Sequence, residues 1–142
     1  MIICDTGPLV AVLNAEDKFH DDCLALLEHE PGPIIVPAPI LTEVCYLAAT
    51  RLGPQAEAAF LDSLASGELR LEPTNSADLT RMAELVRAYA DFPLGAADAS
   101  VIAVAERLGA TRVATIDHRH FRAVRPKNCP AFELFPGPKQ PK

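Results

Sequence analysis

The stretch from residue 2 to residue 10 constrains the fold of this chain more than any other. Residues 2–4 (Ile-Ile-Cys) are apolar without polar alternation, which is typical of a strand buried on both faces of a parallel sheet. Gly7 and Pro8 end the run, and proline suits the first turn of a helix, where its missing N–H is not needed. Asp5 is therefore predicted at the carboxyl end of a central strand, where open α/β sheets place their chemistry. Asp5 could instead simply cap the following helix.

The composition indicates one globular domain. The chain has 142 residues, of which 49% are hydrophobic and 23% are charged, enough for a core without disulfides or metals as staples. No basic leader opens the chain, and no apolar run reaches the ~20 residues of a membrane span, so we expect a cytoplasmic protein. The four cysteines are widely spaced without a C-x-x-C pair, which predicts free thiols.

Strand and helix patterns alternate along the chain. Strands are predicted at residues 2–4, 34–36, 69–71, 113–116 and 132–135, and the main helices at residues 8–14, 19–29, 40–52, 55–66, 76–90 and 96–108. Parallel strands joined by helices predict an α/β fold, a three-layer α/β/α sandwich. We expect a single domain over residues 1–135, and the proline-rich residues 136–142 are expected to be disordered.

Three further acids occupy positions that are unusual for a carboxylate. Asp98 shares a predicted helix face with apolar residues, although a place in the first helical turn offers a structural explanation. Glu43 lies at the edge of an apolar helix stripe, where a surface salt bridge would explain it equally well. Asp117 follows the apolar strand 113–116 as Asp5 follows the first strand, and it could also be a turn or cap residue.

Together these acids point to one site. Acids that end two parallel strands project from the same sheet edge, and the two acids near helix starts can point to that edge as well. Four converging carboxylates would repel each other without a cation, and an all-oxygen set suits Mg²⁺ or Mn²⁺. A site of this kind activates water and neutralises the charge of a phosphodiester, so the pattern predicts metal-dependent hydrolysis.

The charge distribution is uneven. A formal net charge of −6 argues against a protein that coats nucleic acid nonspecifically. Residues 112–127 nevertheless contain five Lys and Arg residues and two histidines, His118 and His120, against the single acid Asp117. This segment is either a local basic binding face or a solvated surface stripe.

Other site classes fit the sequence less well. The triplet Asp5-Thr6-Gly7 also occurs in aspartic proteases, but those are all-β proteins and this chain has helical periodicity. Haloacid-dehalogenase-type phosphatases need a second acid at the position of Gly7. No G-x-G-x-x-G follows the first strand, which disfavours a dinucleotide site. His118 and His120 are a weak candidate pair for zinc.

Four motifs in sequence order resemble those of the PIN-domain family, specifically the VapC-type toxins of bacterial toxin–antitoxin pairs. They are the opening I-I-C-D-T-G-P-L, L-T-E-V at residues 41–44, P-L-G-A-A-D-A at residues 93–99 and A-T-I-D-H-R-H-F at residues 114–121. The resemblance implies the strand order 3-2-1-4-5, with the strands that end in Asp5 and Asp117 side by side. It also implies metal-dependent endoribonuclease activity, inhibition by a cognate antitoxin, and a homodimer.

The acidic positions of that family fall on Asp5, Glu43, Asp98 and Asp117, and Thr6 matches a hydroxyl that helps to order the site. We expect Asp5 and Asp98 to bind Mg²⁺ directly, with Mn²⁺ as a substitute. Asp117 and Glu43 would bind the ion through water or complete a second, weaker site. An activated water would attack phosphorus in line and leave a 5′-phosphate and a 3′-hydroxyl.

Two expectations concern binding partners. Arg119 and its basic neighbours would hold the RNA backbone beside the acids. The helices of the first half carry more apolar residues than a small sheet needs, which predicts either an interaction surface or a well-filled core. The resemblance implies an antitoxin segment on that surface, with a basic side chain that reaches the acids. The alternative function is a catalytically silent module of the same fold that acts only through antitoxin or RNA contacts. The apolar residues are Val10, Leu13, Leu24, Leu27, Leu47, Leu52, Phe60 and Leu64.

Overall fold

A computed structural model describes residues 1–137 of the chain. Five strands and seven helices alternate within those residues. The strands are β1 (Ile2–Cys4), β2 (Ile34–Pro37), β3 (Arg70–Glu72), β4 (Arg112–Ala114) and β5 (Glu133–Phe135). The helices are α1 (Thr6–Leu13), α2 (His20–Glu28), α3 (Ala38–Arg51), α4 (Pro54–Ala65), α5 (Ser76–Ala88), α6 (Ala96–Leu108) and α7 (His118–Ala123).

The strands form one parallel sheet in the order β3-β2-β1-β4-β5, which confirms the predicted order. Ile3 pairs with Ile35 on one side and with Val113 on the other, so β1 is the central strand. The three residues of β1 have no solvent exposure, as predicted for a strand covered by helices on both faces. Asp5 therefore follows the most buried strand of the sheet.

Local signals place the helix ends. Asn75 and Asp78 form a reciprocal capping box at the start of α5. The helix α6 has the bounds predicted for it, and Gly109 ends it with a φ of 70°, a left-handed conformation that favours glycine. The interior of α6 is buried from Ala99 to Ala105. This helix is the apolar wall behind the candidate site.

The fourth strand ends earlier than predicted. Its last strand residue is Ala114, whereas the apolar pattern had extended the strand to residue 116. The Thr115 hydroxyl explains the early end, because it accepts a hydrogen bond from the Asp117 amide at 3.1 Å, a local side-chain bond that competes with continued strand pairing. Asp117 therefore lies three residues beyond the strand.

The cysteines, the helix lengths and the tail are also subjects of prediction, and the first two lie within residues 1–137. The four cysteines are free, as predicted, and Cys4 and Cys23 are buried. Within that range no helix combines the length and apolar character that a membrane crossing requires. Most of the tail expected to be disordered, residues 138–142, lies outside the described residues.

Candidate functional site

A cleft of about 700 Å³ opens at the edge of the sheet where β1 and β4 end. All four predicted acids line it, although they come from four separate parts of the chain: Asp5, Glu43, Asp98 and Asp117. Asp5 and Asp117 follow strands, whereas Glu43 and Asp98 project from α3 and α6. The structure therefore brings together every acid that the sequence singled out.

The Asp5 side chain is hydrogen-bonded to a residue that is distant in the sequence. Its side chain is buried, with 8% exposure, and the Thr115 hydroxyl donates a hydrogen bond to its Oδ2 at 2.9 Å. Asp5 occupies the N-cap position of α1 but makes no side-chain capping hydrogen bond. One reason is that Pro8, the third residue of the helix, has no N–H to offer. The capping explanation for Asp5 is therefore not supported.

The environment of Asp5 disfavours its charged form. Burial is the main cause that raises the pKa of Asp5, to about 6, and the negative charges of Asp98 and Glu43 act in the same direction. Hydrogen bonds from the Thr6 backbone and the Thr115 hydroxyl oppose this effect only in part. A buried acid with its pKa raised by other acids is typical of a functional site.

Asp98 shows the same behaviour in the first turn of α6. Burial raises the pKa of Asp98, and the charges of Asp117 and Glu43 add to the effect. The neighbouring His120 and a hydrogen bond from the Gly95 backbone act against it. The helix start favours an acid here, but that favourable position does not remove the electrostatic penalty.

In the described part of the chain, neither a salt bridge to Lys or Arg nor a side-chain cap explains the other two acids. Within residues 1–137, Glu43 has no cationic partner within 4.0 Å, so no surface salt bridge explains it. Asp117 precedes α7 without a side-chain capping hydrogen bond. Its Oδ2 lies 2.6 Å from Nδ1 of His120 instead.

Sequence reasoning did not place His120 among these acids. Its Nδ1 lies 3.8 Å from Asp98 Oδ2, and its ring meets the Phe92 ring edge-on with centroids 5.2 Å apart. The signal was present in the spacing, because residues three apart on a helix share a face and His120 follows Asp117 by three. The sequence analysis assigns His120 to the basic segment 112–127 and to a weak zinc pair, but not to the acidic site.

The two other predicted site residues differ in their placement. Thr6 is buried beside Asp5, and its Oγ1 has no hydrogen-bond partner within the described residues. Arg119 does not line the cleft; its guanidinium lies 5.8 Å from the centre of the Phe92 ring. The expected contact between Arg119 and RNA stays a prediction.

Two cations that the sequence analysis missed do line the cleft. They are Lys18, in the loop between α1 and α2, and Arg51, in the last turn of α3. Glu43, Leu47 and Arg51 follow each other at four-residue intervals and all face the cleft. Extending the predicted α3 stripe by one turn would have found Arg51.

The donor chemistry of the cleft suits a hard divalent cation. Within residues 1–137, no group of three acid, histidine or cysteine side chains is arranged to coordinate a metal ion by itself. Mg²⁺ does not require one, because it keeps several waters and commonly binds through one or two carboxylates. Burial and, to a lesser extent, the charges of neighbouring acids raise the pKa of Asp5 and of Asp98, and a bound cation would offset both effects. The Thr6 hydroxyl, which has no hydrogen-bond partner among the described residues, follows Asp5 in the chain.

Comparisons with known proteins agree with this geometry. The family model described as PIN domain matches residues 2–126. The chain is 33% identical to ribonuclease VapC26 of Mycobacterium tuberculosis over 135 residues, which cover 95% of this chain and all of that protein.

Solved structures share the fold at lower identity. The crystal structure of VapC20 from Mycobacterium tuberculosis, a sarcin-ricin loop cleaving toxin, matches with a TM-score of 0.75 and 23% identity, over 80% of this chain and 87% of that one. VapBC2 from Rickettsia felis, bound to a promoter DNA fragment, matches with a TM-score of 0.70 and 19% identity, over 96% of this chain and all of the matched chain. Family model, sequence relative and fold agree over nearly the whole length, and the chain belongs to the PIN-domain family.

Proposed function

We propose that this protein is a divalent-metal-dependent endoribonuclease and the toxin of a type II toxin–antitoxin pair. The observation that carries the proposal is the buried Asp5, whose pKa is raised to about 6 among three further acids and which has no Lys or Arg partner within the described residues. A relative of 33% identity over nearly the same length is named a ribonuclease, which supports RNA as the substrate.

In this proposal Asp5 and Asp98 hold Mg²⁺ or Mn²⁺, and Glu43 and Asp117 bind it through water or complete a second site. When bound, the ion supplies an activated water for in-line attack and neutralises the charge of the phosphodiester. Thr115 orients Asp5 by its hydrogen bond to Oδ2. Burial raises the pKa of the Cys4 thiol, so Cys4 stays protonated and is no candidate nucleophile.

The test is RNA cleavage by EDTA-treated protein as Mg²⁺ or Mn²⁺ is added back. We expect cleavage that rises with metal and products with 5′-phosphate ends. Asp98→Asn is the inactive control, and Arg87→Met controls for a surface change outside the cleft. Metal binding without cleavage of any RNA would favour the catalytically silent module instead.

We also propose a cognate antitoxin as the protein partner. A second cavity of about 400 Å³, the apolar groove, lies between α1, α2 and α4. Leu13, Leu24, Leu27 and Phe60 from the predicted apolar set line it, whereas Val10 and Leu47 line the cleft. The relative VapBC2 of Rickettsia felis was crystallised as an assembly, which supports a partner of this kind.

The chemistry of the groove defines the partner segment. Glu28 and Glu68 lie among its apolar residues, so the segment should be apolar and carry Arg or Lys. The groove and the cleft share α1, since Leu9 lines the groove and Val10 the cleft. We propose that a basic side chain of the partner extends along α1 to the acids and replaces the metal ion there. Titration of Mg²⁺ into the complex should weaken antitoxin binding; an affinity that is equal at all metal concentrations would rule out this inhibition.

We infer a homodimer as well, as the family resemblance implies. Leu79 and Val86, seven residues apart on α5, are 57% and 40% exposed, and Tyr46 on α3 is 67% exposed. Exposed apolar side chains that lie two turns apart on the same helix face are typical of an interaction surface. Light scattering of the purified protein tests this inference, and a monomeric mass at micromolar concentration would contradict it.

A further inference from the structure

We propose that Lys18 and Arg51 form a phosphate-binding end of the cleft, which holds the RNA strand next to the scissile phosphodiester. This inference rests on the proposed nuclease function and names the residues that would hold its substrate. It differs from the sequence prediction, which assigned the RNA backbone to Arg119.

The cleft is electrostatically divided. Four of its acids lie where β1 ends and on the adjoining parts of α3, α6 and α7, and a fifth, Asp17, precedes Lys18 in the loop after α1. Lys18 and Arg51 are the two Lys or Arg residues of the described lining. Both cations are exposed to solvent. On α3, Arg51 follows Glu43 by eight residues, which corresponds to about 12 Å along the helix axis. One end of the cleft thus has four acids and suits a metal ion. The other has two cations against the single acid Asp17, whose Oδ1 already accepts a hydrogen bond from the Phe19 amide, and it suits an anion.

Arg51 differs from the arginines that hold the fold together. Arg81 binds Glu106, Arg107 binds Asp78, and Arg112 binds Glu30. Within residues 1–137, no carboxylate lies within 4.0 Å of Arg51. Its five N–H donors can therefore bind a phosphate without breaking an existing ion pair.

Lys18 is presented by an ordered loop. The Asp17 amide donates to the Asn14 carbonyl at 2.9 Å, and the Phe19 amide donates to Asp17 Oδ1 at 2.8 Å. At the end of the loop, Nδ1 of His20 donates to the Ala11 carbonyl at 2.8 Å. These bonds place Lys18 and Phe19 on the cleft side before any ligand binds, which lowers the entropic cost of binding.

A nucleic acid strand matches this arrangement better than an isolated anion does. The acids repel a phosphate, and a bound metal ion neutralises only part of their charge. A strand that spans both ends of the cleft also contacts Lys18 and Arg51, and this attraction offsets the repulsion that is left. Leu47 and Phe19 supply apolar and aromatic surface in the same cleft, which can contact a sugar or a base. Arg112 and Arg119 do not line the cleft. The basic segment 112–127 is therefore a less direct candidate for the strand beside the acids.

The experiment compares two double variants with the same loss of positive charge. Lys18→Met together with Arg51→Met removes the proposed site, and Arg70→Met together with Arg87→Met removes two exposed arginines that do not line the cleft. Binding of a fluorescent single-stranded RNA is measured with Mg²⁺ in the Asp98→Asn background, over a range of salt concentrations. Cleavage kinetics are measured in the wild-type background, and thermal unfolding confirms that each variant folds.

Each cleft substitution should weaken RNA binding about tenfold at low salt, as expected for the loss of a charge-assisted contact. The double variant should reduce the slope of log K against log salt by about 1.4, since each phosphate contact on a single strand contributes about 0.7. KM should rise while kcat changes little, because the two cations do not touch the reacting atoms. The control double variant should keep the wild-type slope.

The failures are distinguishable. If wild-type protein cleaves RNA with metal but the cleft variant binds RNA with unchanged affinity and slope, this inference is wrong and the nuclease proposal stands. If the control double variant weakens binding as much as the cleft variant, net charge and not a local site explains the effect, and the inference is again wrong. If wild-type protein neither binds nor cleaves RNA with Mg²⁺ or Mn²⁺, both proposals fail together.

Discussion

Asp5 and Asp78 are both buried aspartates, with 8% and 3% exposure, yet their surroundings have opposite effects. Arg107 binds both oxygens of Asp78, with Nε 2.9 Å from Oδ1 and Nη2 3.0 Å from Oδ2. Burial alone would raise the pKa of Asp78, but the hydrogen bonds and charge of Arg107 hold it below its usual value. Asp5 has no such partner within residues 1–137, and burial raises its pKa to about 6.

The contrast extends to the two surfaces that contain these residues. On the face formed by α5 and α6, Arg81 binds Glu106 through two hydrogen bonds, of 2.7 and 3.0 Å, and Arg107 also binds Glu72. In the cleft, none of the four acids has a Lys or Arg partner among the described residues. The acids on the α5 and α6 face that stabilise the fold are paired with arginines of the same chain. Acids that lack such a partner indicate a place for a cation from outside the chain.

The largest expected difference is in catalysis. Asp98→Asn should reduce RNA cleavage by roughly a thousandfold, because it removes a proposed metal ligand worth several kcal/mol in the transition state. Its stability without metal should be unchanged or slightly higher, since a repelled carboxylate is gone. RNase assays and melting temperatures in EDTA check both statements.

Asp78→Asn is the matched control for that variant. It should lower the stability by about 1 kcal/mol while the folded protein keeps its cleavage activity. Full activity in Asp98→Asn would contradict the proposed site. Cooperative loss of the fold in Asp98→Asn would instead support the structural explanation, a helix-start role for this acid.

The next effect is on the pH dependence of stability. Because the pKa of Asp5 is about 6 when folded and 3.8 ordinarily, the folded state binds more protons between these values. Stability should therefore fall as pH rises from about 4 to about 6 and stay lower above that range. Asp5→Asn removes this loss, so we expect it to exceed the wild type by up to about 3 kcal/mol at pH 8. Urea unfolding in EDTA between pH 4 and pH 8 measures the difference.

The advantage of Asp5→Asn should shrink to less than about 1 kcal/mol near pH 4, because there the folded carboxyl is protonated and the unfolded one, with its ordinary pKa of 3.8, is only partly ionised. Asp62→Asn, at an exposed position on α4, controls for the loss of one negative charge. A constant difference between Asp5→Asn and wild type at every pH would show that Asp5 is not the titrating group.

Arg107→Met should convert Asp78 into a second unpaired acid. We expect a loss of about 2 kcal/mol in unfolding free energy at pH 7, because a buried carboxylate loses its bidentate partner. The pKa of Asp78 is lowered in the fold, so its stabilising contribution is present above its ordinary pKa and is lost as pH falls through the folded value. The cost of the substitution should accordingly shrink below about pH 4. Arg51→Met, which breaks no ion pair with a described residue, should leave stability at pH 7 unchanged.

The smallest effect concerns the basic segment. Replacing Arg119 and Arg122 with Met should weaken RNA binding a few-fold and flatten its salt dependence slightly, with metal affinity unchanged. The effect should be smaller than that of the cleft cations, because Arg119 lies over Phe92 and outside the cleft. An unchanged salt slope in this double variant would identify the segment as a solvated surface.

Much of the framework follows from local sequence patterns. An apolar run without alternation predicted β1, and the breakers after it predicted α1. Gly109 ends α6 where expected because a left-handed residue is needed there. The four acids could be found because each is locally unusual, and the strand order implied by the family resemblance then places Asp5 and Asp117 at one edge. Periodicity and breakers act over a few residues, so the sequence displays them directly.

The remaining parts depend on contacts between distant residues. The Thr115 hydroxyl reaches Asp5 across 110 positions, and Arg107 reaches Asp78 across 29. Lys18 and Arg51 enter the cleft only because the loop after α1 and the last turn of α3 face the same space. No local pattern distinguishes an arginine that closes an ion pair from one that faces a ligand. The partner of each arginine depends on how the helices pack on the sheet, because that packing determines which carboxylates lie within hydrogen-bonding distance of its guanidinium.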